Sequence, residues 1–422
     1  MCDRVIFHLD VNSAFLSWEA VFRLKYLGAK TDLREIPSAI GGDMEMRRGI
    51  ILAKSIPAKR YRVQTGETIL EAKQKCPNLY IAPPNYNLYE KCSAAFMSIL
   101  REYSPDVEQY SIDEAFMDMT GTEKLFGPPV EVANRIRERI YRELGFTVNV
   151  GVSDVKLLAK MASDFKKPNL VHTLFLSEIK EKMWPLPVSE LFFVGRATAK
   201  KLFSLGIKTI EQLANTDPAV LQMHMKSQGS VIWAFANGVD LSPVQTHVPM
   251  NKGYGNSTTI AFDVKDTSIA KHVLLALCET VGQRLRKDDV KIEVIAVGIR
   301  SYDLQYCSHQ MTLLNATNIT NEIYQYACRV FDELWDGTPI RHLGVHTSRV
   351  KEASQCMWQL DLFSGMKYQK WEEVDRTVDA IREKYGIDAV KRASFAEGPI
   401  DHMSGGISRE KRTVDYNRIK IE

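Results

Sequence analysis

At 422 residues, with 45% hydrophobic and 25% charged positions, the sequence has the make-up of a soluble globular protein too long for one core, and two to four domains are expected. A formal net charge of +3 excludes a global basic field, so any nucleic-acid contact has to come from local lysine and arginine clusters. Seven scattered cysteines, with no CxxC pair and no zinc-ligand spacing, exclude a disulfide scaffold and fit a reducing cytosol, while no apolar run reaches the roughly 18 residues of a membrane span.

Residues 5–9 are a short apolar run ending at Asp10, the pattern of a buried strand that delivers an acid at its C-terminal end. No basic segment leads into an apolar one there, so no secretory signal is expected. Residues 12–27 read as a helix, with Phe15, Trp18, Phe22, Leu24 and Leu27 at helical spacings. Residues 32–83 are mixed, with short strand-like runs such as 50–53. A helix is predicted over 89–100, a pair of strands over 109–119, a helix over 130–144 and a strand over 146–152. A further helix over 155–167 is halted by Pro168. It would carry Leu157, Met161 and Phe165 on its apolar face and Lys160 and Lys167, seven residues apart, on one side. This mixture predicts an α+β domain through about residue 174.

Near Pro185 and Pro187 the composition changes, and the chain to about 238 reads as short helices and turns. Residues 239–254 look like a linker. Two strand–helix–strand units follow, with strands over 257–262, 291–300 and 310–314 and helices over 269–287 and 319–334. The tail holds one helix, 371–385, with Trp371, Val374, Val378, Ile381 and Tyr385 on one face. There is no internal repeat and no low-complexity segment.

Three acids bear on chemistry: Asp10, and the adjacent Asp113 and Glu114. Neighbours on a strand point to opposite faces, so Asp113 and Glu114 can serve one site only at a turn or kink. Asp-Glu is also a poor two-residue hairpin turn, which prefers Gly or Asn. Such a dipeptide taken alone is most often a solvated acidic turn. A pair of divalent cations bridged by the carboxylates is the functional alternative.

The company these acids keep decides between the two. Asp10-Val-Asn-Ser-Ala-Phe15 followed by Ser111-Ile-Asp-Glu-Ala-Phe116 resembles the Y-family translesion DNA polymerases, in their bacterial DinB/UmuC-like branch. The resemblance implies that Asp10, Asp113 and Glu114 are catalytic metal ligands, that the backbone carbonyl of Val11 completes a site, and that the cofactor is two Mg²⁺ ions. Asn12 stands where many members carry a second Asp. Phe15 falls on the position of the family's steric gate, a ring beneath the sugar that leaves no room for a 2′-hydroxyl. The segment from Ser55 to Val63 resembles the family's fingers motif, placing Lys59 and Arg60 on the incoming triphosphate. Ile56 replaces the usual Tyr and Lys59 the usual Arg, so a hydroxyl contact and a bidentate fork are missing. Lys167-Pro-Asn169 resembles a palm motif whose lysine reaches the triphosphate.

Val194-Gly-Arg-Ala-Thr-Ala-Lys-Lys-Leu-Phe-Ser-Leu-Gly-Ile207 looks like a helix-hairpin-helix element, in which the Gly195 turn offers backbone N–H groups to a DNA phosphate without reading sequence. Lys252, Arg300, Arg341 and Arg349 are candidates for the DNA backbone. Gln359-Leu-Asp-Leu-Phe363 resembles the peptide that bacterial polymerases insert into the sliding clamp. Gln359 would bond at the pocket rim and Leu362 and Phe363 would enter it, with Leu360 in the same motif.

The implied architecture is an α+β multidomain right hand. Its parts are a palm over 1–12 and 84–174, fingers over 13–83, a helical thumb over 175–240, an α/β little finger over 255–350 and a C-terminal tail over 351–422. The implied activity is low-fidelity, DNA-templated DNA synthesis without proofreading, by a cytoplasmic, nucleoid-associated monomer. Its partners would be primer-template DNA, deoxynucleoside triphosphates and the sliding clamp, with no membrane. One rival is a catalytically silent clamp- and DNA-binding scaffold, against which the presence of all three acids argues. The other is a nucleotide cyclase, suggested by Gly41-Gly-Asp-Met-Glu45, which needs neither the Gly195 hairpin nor the clamp peptide.

Overall fold

The computed structural model describes residues 4–42, 49–247, 249–356, 365–396, 400–403, 405, 414 and 416, with 365–367 in backbone only. The first part of the chain runs β1 (Ile6–Val11), α1 (Ala14–Tyr26), β2 (Ser38–Gly41), β3 (Ile51–Lys54), α2 (Ile56–Arg60), α3 (Ile69–Lys75), β4 (Tyr80–Ala82), α4 (Tyr86–Arg101), β5 (Val107–Gln109), β6 (Glu114–Asp118), α5 (Glu123–Phe126), α6 (Pro129–Leu144), β7 (Val148–Ser153), α7 (Lys156–Ser163) and β8 (Val171–Thr173). Five of these strands form one sheet, in the order β5-β6-β1-β7-β8, with β1 antiparallel to both neighbours.

Alternation sorts the side chains of this sheet. Phe7, Leu9, Ala115, Met117, Val148, Val150 and Val152 join Phe96 and Leu100 of α4 and Ile136 and Ile140 of α6 in one core. The opposite face carries two polar-bearing rows, fixed by register: Phe116, His8 and Gly151, then Glu114, Asp10 and Asn149. Helix α7 lies directly on this face. A Cβ at Gly151 would sit 1.9 Å from the Ala159 carbonyl oxygen, so only glycine permits the approach. Every residue of α7 is buried, because Leu157, Leu158 and Met161 also enter the core of the helical segment that follows. The predicted helix over 155–167 therefore stops at Ser163, and Lys167 belongs to a loop rather than to the helix face it was expected to share with Lys160.

Between α1 and α4 a small sheet is ordered β3-β2-β4, with β2 and β4 parallel. Its helices begin on side-chain caps. Ser55 Oγ accepts from Ala58 N at α2, and Thr68 with Glu71 forms a capping box at α3. After β8 come α8 (Ile179–Lys182), α9 (Arg196–Ser204), α10 (Ile210–Ala214), α11 (Pro218–Met225) and α12 (Ser227–Ala236), packed around Leu202, Ile210, Leu213, Leu221 and Ile232.

The last sheet combines β9 (Gly255–Val264), β10 (Val290–Ser301), β11 (Tyr306–Thr317) and β12 (Ile340–Glu352) in the order β11-β10-β12-β9. Helices α13 (Thr267–Lys287) and α14 (Thr320–Leu334) share a core with Ile295, Val297, Ile299, Leu343 and Val345 from this sheet. Strand β12 was not predicted, and β11 is longer than the 310–314 run. The edge strand β11 is exposed over its first five residues, so polar side chains line both its faces and no alternation shows there.

The tail helix α15 (Gly365–Tyr385) begins six residues before the predicted start. Of its predicted apolar face Trp371, Val378 and Ile381 are half-buried and Val374 and Tyr385 exposed, while Asp375 and Arg382 are buried. Arg286 of α13 draws Asp375 (3.0 Å) and Asp379 (2.6 Å) inward, so ion pairs dock the helix together with the apolar stripe. Farther on, Tyr416 returns to α1, donating to Glu19 Oε2 at 3.0 Å and accepting from Asn85 Nδ2 at 2.8 Å. No helix among the described residues is long and apolar enough to cross a membrane.

Candidate active site

The kink that two adjacent acids require is present. Tyr110 N and Ser111 N both donate to the Glu114 carbonyl, at 3.0 and 3.2 Å, folding 110–114 into a tight turn between β5 and β6. Ser111 Oγ donates to Asp113 Oδ1 at 2.7 Å, and the Asp113 carbonyl accepts from Val11 N at 3.0 Å. Glu114 then opens β6 directly opposite Asp10 on β1. Backbone pairing thus brings all three predicted acids, and Val11, to one end of one sheet.

Two ammonium groups meet these acids from α7 and the loop beyond it. Lys160 Nζ donates to Glu114 Oε2 at 2.7 Å, and Lys167 Nζ to Asp10 Oδ1 at 2.7 Å. Lys160 is buried, with its charge also over the rings of Tyr110 and Phe192 at 5.1 and 5.3 Å. Burial alone would raise the Glu114 carboxyl, but His8 and the bonded Lys160 together reverse this and hold it at about 2. His8 Nε2 stands 3.7 Å from Glu114, beyond hydrogen-bond range, so Lys160 is the direct partner. Burial pushes the His8 ring below its ordinary value, and its Nδ1 meets Ser163 Oγ at 2.7 Å. Asp10 behaves oppositely to Glu114. Burial pushes its carboxyl up to about 6, which Lys167 only partly offsets and the charge of Glu114 reinforces.

This donor set suits a hard divalent cation: three carboxylates, one of them raised by burial and a like charge, both conditions that a bound cation relieves. The three acids do not close into one compact cluster. Among the described residues the one trio whose ligand atoms all lie within 4.8 Å is Asp388, Asp401 and His402 in the tail, where Lys391 already pairs with both aspartates.

A cleft of about 470 Å³ opens beside the acids, lined by Asp10, Val11, Phe15, Ile56, Lys59, Asp113 and Lys167. Phe15 is held by an almost parallel stack on Tyr89, 4.4 Å between ring centroids and 7° between planes, at the start of α1. Ser13 reaches that helix start through a left-handed φ of 49°. Lys54 and Thr65 also line the cleft and were not predicted. Arg60, on the same short helix as Lys59, is exposed and stands outside the lining. Asn12 shares the cleft lining but bonds no carboxylate, donating to Asn149 Oδ1 at 3.2 Å and accepting from Asn169 N at 3.0 Å. Sequence reasoning singles out Lys160 as sharing a side with Lys167 without giving it a partner, while Asn149 and His8 are polar residues beside the acids that it does not single out. Their one signal is that they interrupt buried apolar runs.

The other predicted residues lie elsewhere. Gly195 caps α9 with open space where a Cβ would stand. Arg300 is exposed on β10, its guanidinium over Tyr306 at 5.9 Å. Arg349 is exposed and Arg341 half-buried on β12, and Lys252 is exposed ahead of β9. Gln359, Leu360, Leu362 and Phe363 lie outside the described residues, as does most of the Gly41–Glu45 cyclase-like run.

Comparison with known proteins places the chain in a family. Residues 9–164 match the impB/mucB/samB family, 177–207 match that family's HHH motif and 251–362 its C-terminal domain. The DNA polymerase IV of Clostridium acetobutylicum is 46% identical over 394 residues, covering 93% of this chain and 98% of that one. DNA polymerase IV of Acetivibrio thermocellus is 40% identical, with 92% and 96% covered, and DNA polymerase IV 2 of Bacillus subtilis is 37% identical, with 93% and 95% covered. A solved Y-family DNA polymerase chimera, Dbh-Dpo4(243-245)-Dbh, shares the fold with a TM-score of 0.69 at 21% identity, over 82% of this chain and 99% of that one. The chain belongs to the impB/mucB/samB family, the Y-family DNA polymerases.

Proposed function

We propose that this cleft adds deoxynucleotides to a primer 3′-end by template-directed nucleotidyl transfer, in low-fidelity translesion synthesis with two Mg²⁺ ions. The observation that carries the reading is the pairing of Glu114 with Asp10 across β6 and β1, with Asp113 tied to Val11 beside them, at the mouth of a cleft containing Phe15, Lys59 and Lys167. Asp10, Asp113, Glu114 and the Val11 carbonyl would hold the ions, which when bound lower the pKa of the attacking 3′-hydroxyl and offset charge on the transferred phosphoryl group. Lys167, whose ammonium meets Asp10 at 2.7 Å on the wall of the same cleft, would reach the nucleotide phosphates from the palm side. Lys59 approaches the same phosphates from α2, with Arg60 beside it. Phe15 lies under the sugar.

The parts of the hand follow from this assignment. The five-stranded sheet with 1–12 and 84–174 is the palm, 13–83 the fingers, 175–240 the thumb with its Gly195 hairpin, 255–350 the little finger and 351–422 the tail. Gly195, Arg300, Arg341 and Arg349 contact primer-template phosphates, and Gln359, Leu360, Leu362 and Phe363 engage the sliding clamp. The protein acts as a cytoplasmic monomer at the nucleoid. Primer extension on undamaged and lesion-bearing templates, with and without Mg²⁺, tests the activity. Extension is expected only with the metal, and its absence on every template would favour the silent scaffold. Deleting 359–363 should abolish stimulation by the clamp while leaving unassisted extension of short primers intact.

A further inference from the structure

The register that sets Glu114 on one side of Asp10 sets Asn149 on the other. Strand β7 is buried along its whole length, and an amide is tolerated there only if its polar atoms are paired. All of them are. Asn149 Nδ2 donates to the carbonyls of Ser163 (3.2 Å) and Lys166 (2.9 Å). Its Oδ1 accepts from Asn12 Nδ2 (3.2 Å) and Leu170 N (3.4 Å). Asn12 Oδ1 then accepts from Asn169 N at 3.0 Å.

The orientation of both amides is dictated by this chain of partners. Two carbonyls can be met only by the NH₂ group of Asn149, which leaves its oxygen for Asn12 and turns the Asn12 oxygen to the Asn169 N–H. Ser163 ends α7, so Asn149 caps that helix from the sheet beneath it. The bonds grip the 163–170 turn at both ends and in the middle. Lys167 sits between the gripped residues with Nζ on Asp10. A lysine stem is flexible, so where its ammonium can reach is set by the backbone that carries it.

We infer that Asn149, assisted by Asn12, is a positioning residue: the two amides clasp the 163–170 turn and so aim Lys167 at the phosphates of the incoming nucleotide. This rests on the nucleotide-binding role proposed for Lys167. An Asp at 149 keeps the shape of the side chain but sets an acceptor against the Ser163 and Lys166 carbonyls, so the turn should open. An Asp at 12 still accepts from Asn169 but opposes the Asn149 oxygen, a smaller insult.

The test measures the dissociation constant of the correct deoxynucleoside triphosphate on the full-length protein bound to a dideoxy-terminated primer-template, where no chemistry follows. Asn149→Asp is expected to weaken nucleotide binding about tenfold and Asn12→Asp about threefold, with primer-template affinity unchanged. In turnover on an ordinary primer, KM for the nucleotide should rise more than kcat falls. In a Lys167→Ala background neither substitution should add a further loss, because the group they aim is gone. Should Asn149→Asp not fold, Asn12→Asp supplies the same cycle. Losses that add to that of Lys167→Ala, or no loss at all, overturn the clasp and leave the role of Lys167 standing. An unchanged affinity in Lys167→Ala itself overturns both.

Discussion

The five-stranded and four-stranded sheets each present a polar row on one face, and among the described residues a helix covers only the first. In the first sheet Glu114, Asp10 and Asn149 lie under α7 and the loop that follows it, and each is matched to a specific partner: Lys160, Lys167 and the carbonyls at the end of the helix. In the last sheet the face away from α13 and α14 carries the row Thr259, His342, Arg300 and Tyr306, beside a second row of Ser257, Gly344, Gly298 and Ser308. The small residues are functional in packing terms, since a Cβ at Gly298 would meet the Tyr306 hydroxyl at 2.5 Å. Covering a polar row forces one-to-one partnerships, because an unpaired buried charge is costly. An open row can stay solvated and present cations loosely, as contact with a uniform phosphate backbone requires. Substitutions under α7 should therefore act strongly and specifically, and those on the open sheet weakly and additively.

The largest effect is expected from Asp113→Ala or Glu114→Ala. Each should cut extension on the order of 10³-fold or more while primer-template binding stays near the parent's, as read by single-turnover kinetics and a binding titration. Substantial extension by both variants would break the comparison at its root. Next comes Phe15→Ala. The Tyr89 stack fixes the ring at the cleft, so truncation should raise ribonucleotide over deoxynucleotide insertion by about a few hundred-fold, a barrier change of about 3–4 kcal/mol. An unchanged sugar preference in matched single-nucleotide insertions would make Phe15 a packing residue only.

Lys160→Met sharpens the argument about covered charge. The Glu114 carboxyl, at about 2, lies below its ordinary value, so the pair contributes stability that is full above about pH 4.5 and fades as the pH falls toward 2. Without the ammonium, burial prevails and that contribution is lost at neutral pH, on the order of 1–3 kcal/mol. Melting in EDTA should show the variant clearly less stable at pH 7 and closer to the parent in acid; a pH-independent difference would mean that Lys160 matters only by its packing. The smallest effects belong to the surfaces proposed to face DNA. Gly195 has an ordinary φ of −78° and open space at its Cβ, so Gly195→Val should fold normally and weaken DNA binding a few-fold by blocking backbone approach, about as much as a lost phosphate contact. Arg300→Ala should lower affinity equally on all sequences and reduce the salt slope by about one. A loss confined to particular sequences would show that the open sheet reads bases.

Much of the frame was legible. Apolar periodicity predicts α1 over 12–27, α6 over 130–144 and α13 over 269–287, and these helices span Ala14–Tyr26, Pro129–Leu144 and Thr267–Lys287. The three acids and Phe15 were legible for another reason: they stand in short motifs whose order resembles a known family. Strand β12 was not, though Leu343 and Val345 alternate with His342, Gly344 and His346, since histidine and glycine blur the polar side of the pattern. The end of α7 was misplaced at Lys167 because Pro168 is the nearest visible stop, whereas the residue that caps the helix lies on another strand.

By itself the sequence determined the period of most elements, the candidate acids and the chemistry they can support, since periodicity and residue type are local properties. Only the tertiary structure decided which polar groups are partners. Lys160 belongs to Glu114, Lys167 to Asp10, and Asn149 to the turn between them, through contacts spanning 46, 157 and 14 residues. Those pairings are set by strand register and by the close seat of α7 over Gly151, and register is a property of two strands together that neither strand encodes alone.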